Sequence, residues 1–256
     1  MSRREFLVLG GAGLAGTIMP GIAGCGGREE GRAEKAGSEQ EEPESLQGEG
    51  ETLEIPTGRG TVRGILYPTK GMRGAVVMVG GAGGDITGPS GVYEELAVRL
   101  QTEDVTALRL EYRMPNELED CVYDLLAGVR ELGKRGIERI VLIGWSFGGA
   151  VVVSAGAASD LVAGVATVAG QSYGAEAVGE LSPEKSLLLI HGTVDGVLPY
   201  EISQNLYARA GEPKELVLYP DDNHGMQGHR SEMLEKLHEY SGSLLLDGSG
   251  SQSEEG

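Results

Sequence analysis

Cations and cysteines are what this chain has least of. Twenty-one Lys and Arg face 39 Asp and Glu, a formal net charge of −18. A protein that neutralises phosphates needs clustered Lys and Arg, so a nucleic-acid partner is excluded. Cys25 and Cys121 are the two cysteines. They are far apart and differ in surroundings, so neither a disulfide framework nor a zinc motif follows. Cys121 sits inside an amphipathic segment and reads as a small buried hydrophobe. The rest is ordinary: 256 residues, 40% apolar and 23% charged, suit one soluble domain with a substantial core.

The stretch "FLVLGGAGLAG" places Gly11, Gly13 and Gly16 in GxGxxG spacing after an apolar run. A dinucleotide site needs a helix after the last glycine, a second strand and an acidic residue about 20 positions on. Instead Pro20 and Gly21 stop any helix, and a charged tract follows. Arg3 and Arg4, an uncharged stretch from Phe6 to Gly24 and small residues before Cys25 have the anatomy of an export signal. "SRREFLV" resembles the twin-arginine signal pattern, with Val8 where Lys is usual. "IAGC" resembles the bacterial lipobox, with Ile22 in place of the commonest Leu. These resemblances imply export in the folded state, cleavage before Cys25 and a lipid on its sulfur. The protein is then held at the outer face of the bacterial cytoplasmic membrane or in the cell envelope. A retained spanning helix is the alternative, because the run is about as long as a short membrane span.

The chain divides accordingly. Residues 1–24 read as the signal peptide and 25–51 as the lipidated cysteine with a solvated acidic tether. Residues 52–246 read as the folded domain, and 247–256 as a disordered tail. From Thr52, short apolar runs alternate with amphipathic ones, the pattern of strands separated by helices in a mostly parallel sheet. Strands are expected near 52–55, 61–67, 75–79, 105–110, 139–143, 162–168, 186–190 and 215–219, and helices near 90–102, 116–134, 148–158, 200–210 and 229–245.

One segment concentrates the chemistry. In "IERIVLIGWSFGGAVVVSAGAA" a β-branched strand runs directly into Gly144-Trp145-Ser146-Phe147-Gly148 and then an Ala-rich helix, which is GxSxG in its required context. The turn is too tight for side chains at the two glycines and pushes Ser146 out with its hydroxyl exposed. The N–H groups at the helix start, that of Phe147 included, point where negative charge develops in acyl transfer. Serine is a poor nucleophile near neutral pH and needs a base, itself oriented by an acid. Asp195 in "HGTVDGVLP" and His224 in "PDDNHG" each follow an apolar strand. Loops at the carboxyl ends of parallel strands open on one edge of the sheet, so Ser146, Asp195 and His224 are able to converge there. Asp221 and Asp222 are the less natural alternatives to Asp195, and His191 reads as structural.

The order Ser, Asp, His resembles that of the α/β-hydrolase superfamily, over nearly all of residues 52–246. The compact dienelactone-hydrolase-like and prolyl-oligopeptidase-like branches are the nearest in pattern. In those relatives "HGxxDxxLP" carries the acid and a short "HG" after the last strand carries the base. The resemblance implies an α/β-hydrolase fold of about eight strands, helices on both faces and a minimal cap. About 17 residues separate Val168 from Ser186, too few for a large lid. The second glycine-rich turn, Gly80-Gly81-Ala82-Gly83-Gly84-Asp85, follows the third strand, where relatives place the other oxyanion donor. It lacks their usual histidine, and Ala82, then Gly81, are the candidates. A merely tight turn is the alternative. Asp85, Tyr112 and Trp145 lie near the expected cleft, where each either touches substrate or packs. The expected activity is cleavage of a small-molecule carboxylic ester by a serine hydrolase, with no metal or organic cofactor. A thioesterase or acyltransferase would share the triad, and a binding protein could inherit the scaffold.

Overall fold

The computed structural model describes residues 48, 50–70 and 74–246. The export signal, Cys25, most of the tether and the tail at 247–256 lie outside the described residues. Among the described residues eight strands form one sheet: β1 (Glu51–Thr57), β2 (Gly60–Tyr67), β3 (Gly74–Val79), β4 (Thr106–Glu111), β5 (Arg139–Trp145), β6 (Val162–Val168), β7 (Ser186–Gly192) and β8 (Lys214–Tyr219). Five helices accompany them: α1 (Val92–Thr102), α2 (Leu118–Lys134), α3 (Phe147–Ala157), α4 (Glu201–Arg209) and α5 (Arg230–Leu245).

The strand order is β1-β2-β4-β3-β5-β6-β7-β8. β1 with β2 and β2 with β4 pair antiparallel, and every later pair is parallel. The parallel strands are apolar on both faces because both are covered. Val77 and Val79 of β3 belong to one buried cluster, which also takes in Leu125 of α2, Val151 of α3 and Leu206 of α4. Val76 and Met78 belong to a second cluster on the other face, with Leu96 of α1 and Leu237 of α5. Successive side chains of a strand point to opposite faces, so one six-residue strand serves both cores. The chain passes from β4 across β3 to β5, and that reversal of direction puts a crevice at the carboxyl ends of β3 and β5.

The expected strands and helices are all present with shifted ends, and three of the shifts have a local cause. β5 runs on to Trp145 because its ladder with β6 continues to Trp145 opposite Val168. The helix expected from 90 starts at Val92, since Ser90 and Gly91 have φ of 49° and 70°. The one expected from 116 starts at Leu118, after Asn116 at φ 68°. Between β6 and β7 the only helical piece among the described residues is a 3-10 turn at Glu176–Glu180, so the cap is minimal. No helix among the described residues is long and apolar enough to cross a membrane.

Candidate active site

Only Ser146 separates β5 from α3. Its φ of 56° and ψ of −119° lie where residues with a Cβ are rarely found, the strained turn that GxSxG predicts. The flanking glycines allow it. A Cβ on Gly144 would fall 2.2 Å from the Gly148 carbonyl oxygen, and one on Gly148 would fall 2.5 Å from that of Gly80. Ser146 N–H donates to the Val168 carbonyl at 2.9 Å, which ties the turn to the neighbouring strand.

Two loops bring the partners. His224, on the loop after β8, has Nε2 3.0 Å from Ser146 Oγ and Nδ1 2.7 Å from Asp195 Oδ2. A carboxylate facing Nδ1 keeps the proton there, so Nε2 is left to accept from the serine hydroxyl. Asp195, on the loop after β7, has a side chain with no exposed area. Its Oδ1 accepts from the backbone N–H of Val197 at 2.8 Å and Leu198 at 2.9 Å. Burial pushes this carboxyl up, but the Leu198 N–H, the His224 ring and the Val197 N–H together outweigh it and hold it below the usual carboxylate range.

His191, at the end of β7, is a neighbour of the site whose contacts the sequence did not reveal. Its Nε2 lies 3.1 Å from Asp195 Oδ2 and 3.0 Å from the Leu198 carbonyl, and its Nδ1 2.7 Å from Ser203 Oγ. Two acceptors at Nε2 require the proton there, so the Ser203 hydroxyl donates to Nδ1. Burial lowers the imidazole's affinity for a second proton, against the opposing pull of the Leu198 carbonyl and Asp195. The HxxxD spacing at the end of an apolar strand was the available signal. The alternatives to Asp195 are engaged elsewhere. Asp222 accepts from the N–H groups of Asn223, Gly228 and His229 and faces His229 Nδ1. Asp221 is exposed, and its N–H donates to Thr193 Oγ1.

Phe147 is the first residue of α3, where a backbone N–H has no acceptor within the helix. Gly81 stands against the serine: a Cβ on it would lie 3.4 Å from Ser146 Cβ and 3.8 Å from Oγ. Ala82 is exposed one residue on, and Gly84 N–H donates to the Gly81 carbonyl at 3.0 Å, so the segment is also a tight turn. The three residues expected near substrate have contacts within the protein. Exposed Asp85 accepts from the Thr87 N–H at 2.7 Å and its hydroxyl at 2.8 Å. Buried Tyr112 donates to the Gly80 carbonyl at 3.3 Å and meets the Phe147 ring edge-on. Half-buried Trp145 donates from Nε1 to the His224 carbonyl at 3.0 Å. Cys121 is buried with its Sγ on the Met114 carbonyl, and burial, with the Asp124 charge second, pushes its thiol up to about 12.

Strand order, strained serine turn and crossing loops are those of the α/β-hydrolase fold, and the protein has that fold. Among solved structures, dienelactone hydrolase from Anabaena variabilis superposes with a TM-score of 0.67 at 16% identity, covering 78% of this chain and 97% of that one. Est1E from Butyrivibrio proteoclasticus gives 0.64 at 17% identity, over 76% and 99%. The esterase domain of a Rhodothermus marinus protein gives 0.64 at 16%, over 77% and 99%. In sequence the chain is 34% identical over 110 residues to the uncharacterized protein YfhR of Escherichia coli K12, which is 34% of this chain and 38% of that relative. The match thus spans well under half the length of the curated relative. No family model matches.

Proposed function

We propose that the protein is a serine hydrolase that cleaves carboxylic esters through an acyl-enzyme. The observation that carries this reading is the unbroken hydrogen-bonded line from Ser146 Oγ through both nitrogens of His224 to Asp195. In the proposed cycle His224 Nε2 takes the serine proton as Oγ attacks the acyl carbonyl, and Asp195 stabilises the imidazolium. The Phe147 N–H and one N–H from Gly81 or Ala82 hold the oxyanion. The ester C–O bond breaks as His224 returns the proton to the leaving alkoxide. Water then attacks the acyl-enzyme, giving its proton to His224; the carboxylic acid leaves and Ser146 regains its hydrogen.

An ester is favoured because the bare triad suffices for it, and because an esterase domain and a dienelactone hydrolase are among the proteins sharing the fold. Exposed Met114, Tyr173, Val194 and Val197, on loops at the carboxyl edge of the sheet, offer an apolar rim to a small acyl substrate. The test is labelling with a fluorophosphonate probe, which is expected on Ser146, alongside hydrolysis of ester, thioester and amide series. Products formed with competing alcohols separate a hydrolase from an acyltransferase. An intact protein that neither labels nor turns over any ester would be a binding protein on this scaffold. We further propose export and lipid attachment at Cys25, checked by intact mass from a bacterial host with both machineries; an unprocessed Met1 chain overturns it.

A further inference from the structure

His224 sits on a ten-residue connection between β8 and α5, not on a regular element. A side chain on a loop holds catalytic geometry only if the surrounding groups fix its backbone. Two successive carbonyls there are pinned by two separate segments of the chain. The His224 carbonyl accepts from Trp145 Nε1 at 3.0 Å, and the next, that of Gly225, accepts from Ser90 Oγ at 2.5 Å. Ser90 precedes α1, and its hydroxyl reaches across 135 positions of sequence to do this.

The backbone around Ser90 is strained. Gly88, Ser90 and Gly91 all have left-handed φ, of 74°, 49° and 70°. For Gly88 and Gly91 this is easy, but for a residue with a Cβ it costs conformational energy. A glycine at 90 would avoid that cost, and the chain carries serine. The turn is braced from outside: the Ser90 carbonyl accepts from Arg230 Nε at 3.1 Å, and Arg230 in turn pairs with Glu95 of α1 at 2.9 Å.

We propose that Ser90 is a positioning residue whose hydroxyl, delivered by this strained turn, fixes the Gly225 carbonyl and so holds His224 between Ser146 and Asp195. The proposal rests on the hydrolase reading for its kinetic consequence, because misplacing a catalytic group by about 1 Å costs up to about 100-fold in rate.

Two substitutions separate positioning from stability. Ser90→Gly removes the hydroxyl and the strain; Ser90→Ala removes the hydroxyl and keeps the strain. Both are expected to lower kcat on a short-chain ester about tenfold with little change in KM. Their melting temperatures should diverge, with Ser90→Gly higher by about 2–4 °C. Trp145→Phe, which frees the neighbouring carbonyl, should combine non-additively with Ser90→Gly in kcat. A second readout needs no turnover: a downfield proton resonance of His224 Nδ1–H is expected in the parent protein from its 2.7 Å contact with Asp195, and it should broaden or vanish in both variants. Full kcat and an unchanged resonance in both overturn the proposal, as does a kcat loss that simply follows the melting temperature. A parent protein without ester turnover or labelling defeats the hydrolase reading instead, and the resonance alone then decides the role of Ser90.

Discussion

His191 and His224 meet on the same oxygen of Asp195, Nε2 of the first at 3.1 Å and Nδ1 of the second at 2.7 Å. The carboxylate therefore divides its charge between His224 and the buried neutral imidazole of His191. His191→Phe removes one of its four donors and strands the Ser203 hydroxyl and Leu198 carbonyl, which costs about 1–3 kcal/mol of stability. With fewer donors the Asp195 carboxyl becomes more basic. The acid limb of the kcat/KM profile is expected to move to higher pH, and an unmoved limb would assign His191 to packing alone.

Ser146, the proposed nucleophile, sits on a strained backbone. Ser146→Ala and His224→Ala should each lower ester turnover by about 10⁴-fold or more, with circular dichroism unchanged. Ser146→Gly should be equally inactive yet more stable than the parent by about 1 kcal/mol, because glycine accepts the φ of 56° without cost. Chemical denaturation measures the difference. Retention of most activity in Ser146→Ala would remove the nucleophile assignment.

Gly148 lies where α3 meets the loop after β3. A Cβ there would approach the Gly80 carbonyl oxygen to 2.5 Å and that of Val79 to 3.0 Å. Gly148→Ala must push the two apart, at about 1–3 kcal/mol. The same movement draws Gly81 away from Ser146, so kcat should fall at least tenfold while KM for a short ester changes little. Steady-state kinetics beside a melting curve checks both.

Asp222 organises the segment around and after His224. Burial raises its carboxyl, but the N–H groups of Gly228, Asn223 and His229 prevail and hold it below its ordinary value. Asp195 is depressed likewise. Since the native values lie below the unfolded ones, these carboxylates stabilise the fold fully above about pH 4 and lose that contribution as pH falls through the native values. His191 acts in the same direction at higher pH: its native value is lowered, so the unfolded chain gains a proton first once pH drops below about 6.5. Asp222→Asn should destabilise at neutral pH by about 1–3 kcal/mol and flatten the acid-unfolding curve below pH 4. Urea melts at several pH values give both quantities.

What the sequence determined by itself is local. Alternating apolar runs set the strands and helices, because burial on two faces or one leaves its period in the chain. Gly144 and Gly148 around Ser146 imply the strained turn, because contiguous residues make it. The placement of Ser146, Asp195 and His224 each just after an apolar strand implied their convergence once a parallel sheet was assumed, since such a sheet gathers those loops on one edge. Tertiary structure alone decided the rest. Nothing near Ser90 announces that its hydroxyl meets the Gly225 carbonyl, and nothing near Trp145 announces that its N–H meets that of His224. Nor does the spacing of His191 reveal that Ser203 fixes its tautomer. Hydrogen bonds between residues far apart in sequence depend on distances of tenths of an ångström, which are set by how whole elements pack and leave no periodic trace in the chain.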